Sequence, residues 1–383
     1  MEKVMDRAAV AAAAASLVRR TRSTAGEVGD RFPLYADPAD GRWTSTRRGS
    51  WTGGFWAGLL WLTAEADAAD GTGGAGGSDA GWDDGEAVRR AREVTERLRE
   101  RAHDDTDTRA LTFWYGAAQG HLRCGDTDAA RVALEGAAAL VAAAHPRYGI
   151  VPAGTGLGRG EPGTEELTVD SAAAVIALLC WAGREHGLAG AEELARRHAA
   201  AVRDRCLEKD GGIRPGARLD GAGDEAAAGV WTRGQAWGIL ALATAARAFD
   251  GGQGAGHGGN GYRDAALLAA DHWLGRVGDT VPPWSFADPD GLRDTSAAAI
   301  TAQALLELAE LTPGPYGQAL EDAATCLLGR LVSGHLRDGM LTDGCYDRAS
   351  GTATAHELIW GDYFLLSALM RLAGSRAGAA TAH

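Results

Sequence analysis

The residues most able to do chemistry in this sequence are aspartates at the starts of apolar helical segments. Asp170 is the clearest case, because it stands in the string TVDSA at 168–172 and precedes a long run of alanine, valine, isoleucine and leucine. A carboxyl group at such a place is partly withdrawn from water, which suits it to proton transfer. The alternative interpretation is a simple helix-capping aspartate, a common role for this residue type.

A second carboxylate could come from the segment before the neighbouring helix. Asp104, Asp105 and Asp107 all precede the aromatic run LTFWY at 111–115. Asp294 and Asp362 also open helical segments, and there capping explains the residue type better than catalysis does.

Tryptophans are unusually numerous, 12 against 7 tyrosines and 6 phenylalanines. Those at predicted helix starts or in the preceding loops are Trp43, Trp51, Trp56, Trp114, Trp231, Trp237, Trp284 and Trp360. Their flat apolar rings could stack on sugar rings, although tryptophan is also an ordinary core residue. Arg233, between Trp231 and Gln235, could hold a carboxylate through two hydrogen bonds or could form a structural ion pair.

The composition excludes several classes of protein. Acidic residues outnumber basic ones 51 to 38, the formal net charge is −13, and no basic block stands out, so nucleic acid is not expected as a partner. No run approaches the ~18 strongly apolar residues of a membrane span, so no membrane partner is expected either. Five scattered cysteines without CxxC spacing indicate reduced thiols and a cytoplasmic protein. No metal-ligand spacing, nucleophile elbow or phosphate loop appears, and we predict neither a metal nor a cofactor.

Helical periodicity dominates the chain, and alternating β-branched runs are almost absent, so the predicted fold class is all-α. Periodicity and helix breakers predict twelve helices, at 5–22, 54–69, 86–102, 109–124, 127–144, 168–187, 190–206, 232–249, 262–276, 295–311, 316–333 and 358–373. The alanine-rich start is assigned to the first helix and not to a signal peptide.

The connections indicate how these helices are arranged. Those before the even-numbered helices are long and rich in proline, glycine and tryptophan, except the one near residue 105, and the even helix starts recur about every 57 to 65 residues. Such a period is typical of a repeated helical hairpin. Six hairpins in a ring form an (α/α)6 barrel, a single domain over 1–383 with the even helices inside. Their N-termini meet at one end, here named the mouth, where the helix dipoles favour an anionic ligand.

Several strings resemble glycoside hydrolase family 88, the unsaturated glucuronyl hydrolases. SWTGGFWAGLLW at 50–61 is similar to the family's GFWPGMLW, and WTRGQAW at 231–237 to its WARGQAW. VPPWSF at 281–286, RDTSAAAI at 293–300 and IWGDYFLLSALMRL at 359–372 resemble VPYWDF, RDSSAAAI and IWGDYFYLEALLRL. The resemblance runs from about 43 to 372 and implies an (α/α)6 barrel, which the helix count indicates independently.

The resemblance implies a hydrolase that removes the unsaturated uronic acid from the non-reducing end of lyase-generated oligosaccharides. This sugar carries a double bond between C4 and C5 and is an enol ether. Protonation of C4 and addition of water at C5 give a hemiketal that opens and releases the remaining saccharide. No glycosyl-enzyme intermediate is needed, in contrast to retaining glycosidases.

The resemblance also implies roles for individual residues. LTVDSAAAVIALLCWAGREHG at 167–187 is similar to the family's IIDNLMNLPLLYWASKETG, which places Asp170 on the general acid/base. The family's other essential aspartate lies in a His-Asp-Xaa-Gly-Phe motif. Here the segment reads DDTDTRALTFWYGAA at 104–118, without that His or Gly-Phe, and Asp107 is the nearest match after a one-residue offset. Trp231, Arg233 and Trp237 match substrate-binding positions residue by residue, but the family's upstream His and Gln have no counterpart in RPGARLDGAGDEAAAGV at 214–230.

We therefore predict Asp170 and Asp107 as catalytic residues. The predicted substrate-binding residues are Trp56, Trp114, Trp231, Arg233, Gln235, Trp237, Trp284 and Asp362. The expected partner is an unsaturated oligosaccharide, and the expected state is a monomer or a weak homodimer. One alternative is an unsaturated rhamnogalacturonyl hydrolase of family 105, which usually shows RGNGW where this chain has RGQAW. Another is a catalytically silent sugar-binding barrel.

Overall fold

The computed structural model describes residues 5–69, 82–83, 85–156, 166–220, 229–250 and 261–381. In this part of the chain the predicted twelve helices are present. They are α1 Arg7–Val28, α2 Gly53–Ala69, α3 Glu86–Arg97, α4 (Arg109–Leu111, the π-helical Thr112–Ala118 and Gln119–Cys124), α5 Thr127–Ala142, α6 Ala172–His186, α7 Ala191–Cys206, α8 Thr232–Phe249, α9 Tyr262–Val277, α10 Thr295–Leu311, α11 Pro315–Gly334 and α12 Ile359–Thr381. None of the described helices is both long and apolar enough to cross a lipid bilayer.

The even-numbered helices form a closed inner ring. Each packs against the next, from α2 and α4 round to α12, which packs against α2 again. These helices are apolar on nearly every face; in α2, for example, every residue from Gly53 to Ala64 is buried. A helix that is hydrophobic all round belongs in a core, which explains why these helices lie inside. The predicted all-α (α/α)6 barrel is confirmed.

The inner helices approach one another closely where glycine replaces a larger side chain. At Gly54 in α2, a Cβ atom would lie 2.5 Å from the carbonyl oxygen of Leu111 and 2.6 Å from the Cα of Thr112 in α4. No side chain fits between the two backbones at such distances, so glycine is required there. This contact sets the spacing between α2 and the helix that follows Asp107.

The mouth loops contain short strands that the all-α prediction did not include. β1 Phe32–Ala36 pairs with β2 Trp43–Thr46 and with β7 Glu357–Leu358, β3 Glu166–Thr168 pairs with β4 Gly216–Arg218, and β5 Leu336–Arg337 pairs with β6 Met340–Leu341. All these pairs are antiparallel. Because β3 precedes α6 and β4 precedes α8, their pairing joins two neighbouring mouth loops. It also corrects the predicted start of α6, since residues 166–168 are extended and the helix begins only at Ala172.

Aromatic side chains fill the middle of the barrel and form what we name the aromatic floor. Its members are Phe55, Tyr115, Trp237, Tyr363 and Phe364, each at most 6% exposed. Ring centroids lie 4.9 Å apart for Phe55 and Tyr115 and 5.3 Å apart for Trp237 and Phe364. Below the floor, at the C-terminal ends of the inner helices, lies a cavity of about 470 Å³, the C-terminal cavity. The floor therefore separates this cavity from the mouth.

Candidate active site

The carboxylate of Asp107 is buried at the mouth just before α4, where it is 1% exposed. Its Oδ2 accepts hydrogen bonds from the hydroxyl groups of Thr168 and Ser171, the latter at 2.7 Å. Thr168 stands two residues before Asp170 and Ser171 one residue after it. The structure thus brings the two predicted catalytic aspartates to the same segment of the mouth.

The turn that carries Asp107 is held on both sides. Its backbone N–H donates to the carbonyl oxygen of Ala153 at 3.1 Å, in the long loop before α6. The hydroxyl groups of Thr106 and Thr108 lie 3.0 Å apart and form a hydrogen bond across the turn. A buried carboxylate needs such fixed donors and a fixed backbone, because its desolvation is otherwise costly.

Asp170 is half-buried and lies in the turn between β3 and α6. The N-cap position of α6 is taken by Ser171, whose side chain makes no capping hydrogen bond and binds Asp107 instead. The alternative interpretation of Asp170 as an N-cap is therefore wrong. On the other side of Asp170, the backbone N–H of Val169 donates to Pro215 at 3.1 Å. The turn is therefore fixed on both sides, and Asp170 itself remains partly exposed.

Asp104 and Asp105 bind other partners at the outer edge of the mouth. Asp105 is exposed and accepts hydrogen bonds from the Thr155 hydroxyl at 2.6 Å and the Thr155 backbone N–H at 3.1 Å. These bonds hold the pKa of the Asp105 carboxyl below its ordinary value. Asp104 pairs with Arg101 at 2.6 Å. Of the three aspartates before α4, Asp107 is the one bound to the segment of Asp170.

Trp231 and Trp284 lie half-exposed on adjacent mouth loops. Trp231 is the N-cap residue of α8 and forms an isolated β-bridge with Ser285, the residue after Trp284. Its ring rests on Gly234, where a Cβ atom would come within 2.5 Å of the indole. Both indoles therefore present part of an apolar ring at the mouth, as sugar stacking requires.

A second aromatic group lies before α2 and α12. The indole N–H of Trp51 donates to the hydroxyl of Tyr346 at 3.1 Å, and the Trp51 and Trp360 rings are 4.7 Å apart. Trp51 and Tyr346 are half-buried, whereas Trp360 is fully buried. Tyr346 is a mouth residue that the sequence did not single out, because nothing in its local string marks it.

Arg233, a predicted substrate-binding residue, forms a buried ion pair in the structure. It is 6% exposed and donates to the buried carboxylate of Asp294 and to two carbonyl oxygens of the loop before α12, at 2.7 and 3.1 Å. Asp294 also caps α10, as expected. The guanidinium lies 5.1 Å from the centre of the Trp231 ring. The buried Arg233 therefore packs against that indole and helps to hold it in place.

Three more predicted binding residues are core side chains in this structure. Gln235 is 0% exposed, and Trp56 and Trp237 are 2% exposed. The amide of Gln235 accepts from the backbone of Ile213 at 2.8 Å and donates to two carbonyl oxygens at 2.8 and 3.0 Å. Trp56 lies against residues of α1 and α3, and Trp237 belongs to the aromatic floor.

Trp114 also lies away from the mouth. It is half-buried and lines the C-terminal cavity. It stands in the π-helical stretch Thr112–Ala118, where one extra residue per turn changes the direction in which the following side chains point. The structure therefore places Trp114 at the C-terminal cavity and not at the mouth, where the sugar contact was predicted.

Asp362 is buried beneath the mouth, where it is 4% exposed. Burial, and next the neighbouring Glu357 carboxylate, raise the pKa of Asp362 well above its ordinary value. Glu357 is bound through both oxygens by Arg20, at 3.0 and 2.6 Å. The three residues tie α1, β7 and α12 together, and this structural contact is the one in which the structure places Asp362.

Thr168 and Ser171 are the functional candidates that the sequence analysis missed. The available signal was two hydroxyl residues flanking the aspartate in TVDS. Nothing in the sequence showed that Asp107 lies opposite them, because that contact spans more than sixty residues of chain.

The chain matches no protein-family model. It is 30% identical over 366 residues to the unsaturated glucuronyl hydrolase of Bacillus sp. strain GL1. This alignment covers 90% of this chain and 91% of that protein. It is 26% identical over 372 residues to the unsaturated chondroitin disaccharide hydrolase of Streptococcus pyogenes serotype M1, over 89% and 85% of the two chains. The crystal structure of the Bacillus sp. GL1 enzyme matches with a TM-score of 0.78 and 28% identity, over 95% of this chain and 96% of that one. This chain therefore belongs to the unsaturated glucuronyl hydrolases, glycoside hydrolase family 88.

Proposed function

We propose that this protein removes the 4,5-unsaturated uronic acid from the non-reducing end of lyase-generated oligosaccharides. One observation carries the proposal: the Asp107 carboxylate is bound by the two hydroxyl groups that flank Asp170. Two carboxyl groups at one fixed segment of a mouth can supply both a proton and a negative charge to a sugar. Membership of a family named for this reaction supports the proposal.

Asp170 is the proposed general acid and base. In its protonated form it donates a proton to C4, and the positive charge that develops at C5 is shared with the ring oxygen. The resulting carboxylate then takes a proton from the water that adds to C5. The C5 hemiketal opens to a ketone, and the hemiacetal left at C1 collapses and releases the remaining saccharide. Asp170 ends protonated, ready for another cycle.

Asp107 is proposed to hold the sugar and to stabilise the charge at C5. Its carboxylate is buried and held by fixed hydroxyl donors, so it cannot turn away from the site as charge develops. A preorganised negative group in a poorly hydrated place stabilises a nearby cation more than the same group does in water. Trp231 and Trp284 are the proposed stacking residues, and the helix N-termini at the mouth favour the uronate carboxylate.

A panel of unsaturated disaccharides prepared with polysaccharide lyases tests this function. The C4–C5 double bond is conjugated with the carboxylate and absorbs ultraviolet light, so each turnover lowers the absorbance. The Bacillus sp. GL1 enzyme is described as responsible for degradation of glycosaminoglycan, so chondroitin, hyaluronan and heparin disaccharides form the core of the panel. We expect the absorbance to fall with at least one of them. Saturable binding without any fall would identify a sugar-binding barrel and overturn the proposal.

The hydroxyl groups of Thr168 and Ser171 should act as positioning groups for Asp107. A hydrogen bond to a charged group contributes about 1.5–3 kcal/mol, so we expect Thr168→Val and Ser171→Ala each to lower kcat about 10- to 100-fold with little change in KM. Steady-state kinetics on the preferred disaccharide measure this, and Ser171→Thr should restore part of the loss.

Thr63→Val is the matched control for these variants. The Thr63 hydroxyl is equally buried but donates to the carbonyl oxygen of Leu59 within α2, at 2.9 Å. We expect this variant to keep its kcat. An equal loss in all three variants would show that a general disturbance of the barrel, and not the orientation of Asp107, causes it.

We also propose that the protein is cytoplasmic and acts as a monomer or a weak homodimer. None of the five cysteines, Cys124, Cys180, Cys206, Cys326 and Cys345, forms a disulfide bond in the described part of the chain. Free thiols are typical of proteins in reducing compartments, where imported oligosaccharides would meet this enzyme.

A further inference from the structure

Metal-binding side chains meet at the end of the barrel opposite the mouth. His121 in the last part of α4 and Glu185 and His186 at the end of α6 each place one ligand atom within 4.8 Å of the others. In the described part of the chain this is the single group of three His, Cys, Asp or Glu side chains that comes so close. We propose that His121, Glu185 and His186 bind a divalent transition-metal ion of the Zn²⁺ type.

The donor atoms define the class of metal. Two imidazole nitrogens and one carboxylate oxygen are a common zinc ligand set, with water in the remaining position. Imidazole also suits Ni²⁺ and Cu²⁺, whereas Ca²⁺ and Mg²⁺ prefer oxygen ligands alone. The ligands come from residues that are adjacent in α6 and from a distant helix, which is why no ligand spacing is visible in the sequence.

The surroundings favour a cation. His186 is the last residue of α6, and His121 lies three residues before the end of α4 at Cys124. The carbonyl ends of two helices therefore bring partial negative charge to the site. The nearby guanidinium groups pair elsewhere: Arg123 with Glu65 at 2.6 Å and Arg184 with Glu192 at 2.8 Å.

His121 has a feature that a ligand would explain. Its Nδ1 is buried and, among the described residues, has no hydrogen-bond partner. The His121 and His186 rings are 5.8 Å apart, and the Trp181 ring lies 4.4 Å from that of His186. A buried polar nitrogen without a partner costs stability. A metal ion bound by the two histidines would account for a polar side chain at this place.

The metal would join two particular helices. α4 follows Asp107 and α6 follows Asp170, so the ion would fix, from the far end, the same two helices that present the proposed catalytic pair. The site is a structural clamp outside the mouth. It can be tested without substrate, and its failure would leave the proposed hydrolase function untouched.

Calorimetric titration of the metal-free full-length protein with Zn²⁺ tests the clamp. We expect one Zn²⁺ per chain and a rise in the thermal unfolding temperature that a chelator reverses. Loss of one ligand should weaken binding at least about tenfold in His121→Ala and His186→Ala. Glu185→Gln changes an exposed position and should weaken binding without endangering the fold.

His103→Ala is the matched control, because His103 is exposed on a mouth loop and should leave Zn²⁺ binding unchanged. The proposal is overturned if the wild-type protein takes up no Zn²⁺. It is also overturned if Glu185→Gln and the folded histidine variants bind Zn²⁺ as tightly as the wild type, since the ion would then sit on other groups such as the partly exposed cysteines.

Discussion

Asp170→Asn is expected to lower kcat by about 10²- to 10⁴-fold, the usual contribution of a general acid–base group. The amide cannot give a proton to C4 and cannot take one from water, yet it has nearly the same shape as the carboxyl group. Asp170 is half-buried at a turn and is not the N-cap of α6, so we expect the variant to fold normally. Loss of ultraviolet absorbance from an unsaturated disaccharide measures kcat, and circular dichroism checks the fold.

Asp105→Asn is the matched control for this variant. Asp105 also precedes an inner helix, but it is exposed and bonded to Thr155 on the rim, so its replacement should leave kcat close to the wild-type value. Unchanged turnover in Asp170→Asn would refute the assignment of Asp170. If Asp107→Asn abolished turnover and Asp170→Asn did not, Asp107 would be the proton donor and the proposed roles would be reversed.

Arg233→Met is expected to reduce the free energy of unfolding by about 3–5 kcal/mol, because it leaves a buried carboxylate without its partner. That carboxylate belongs to Asp294, which is 0% exposed. The variant also loses two hydrogen bonds to carbonyl oxygens of the loop before α12. Urea unfolding followed by circular dichroism measures the change.

Arg247→Met provides the comparison, because Arg247 pairs with Glu310 at 2.8 Å while both side chains remain more than 40% exposed. An exposed pair contributes at most about 1 kcal/mol, so this variant should lose little stability. If both variants lost the same amount, burial of the Arg233–Asp294 pair would not be the source of its stability. A stable Arg233→Met protein that no longer binds substrate would instead support the predicted role of Arg233 as a substrate ligand.

The helices of this barrel were predictable because each depends mainly on its own residues. Alanine and leucine at helical spacing, bounded by glycine and proline, gave 232–249 for α8 and 295–311 for α10, as the structure has them. The start of α6 was wrong by four residues, because the pairing of β3 with β4 holds residues 166–168 extended. That pairing joins segments far apart in the chain, and local periodicity carries no signal for it.

The candidate site was predictable only in part, for a related reason. The sequence marked Asp170 and Asp107, and the structure brings both to one segment. The sequence could not distinguish a tryptophan at the mouth from a tryptophan in the core. Trp231 and Trp237 lie in the same string, yet one is half-exposed and the other is 2% exposed. Six residues along a helix turn a side chain roughly 120° away and move it about 9 Å along the axis, and only the packed barrel shows which direction leads to the mouth.

The aromatic floor closes the middle of the barrel below the mouth. Phe55, Tyr115 and their neighbours are packed ring against ring, so a polysaccharide cannot thread past Asp170. Only a chain terminus can enter, and the shortened chain must withdraw through the entrance before another arrives. A barrel closed below its mouth in this way acts on chain ends and is not processive. It suits the last stage of polysaccharide breakdown, after endo-acting lyases have cut the polymer into fragments with many ends.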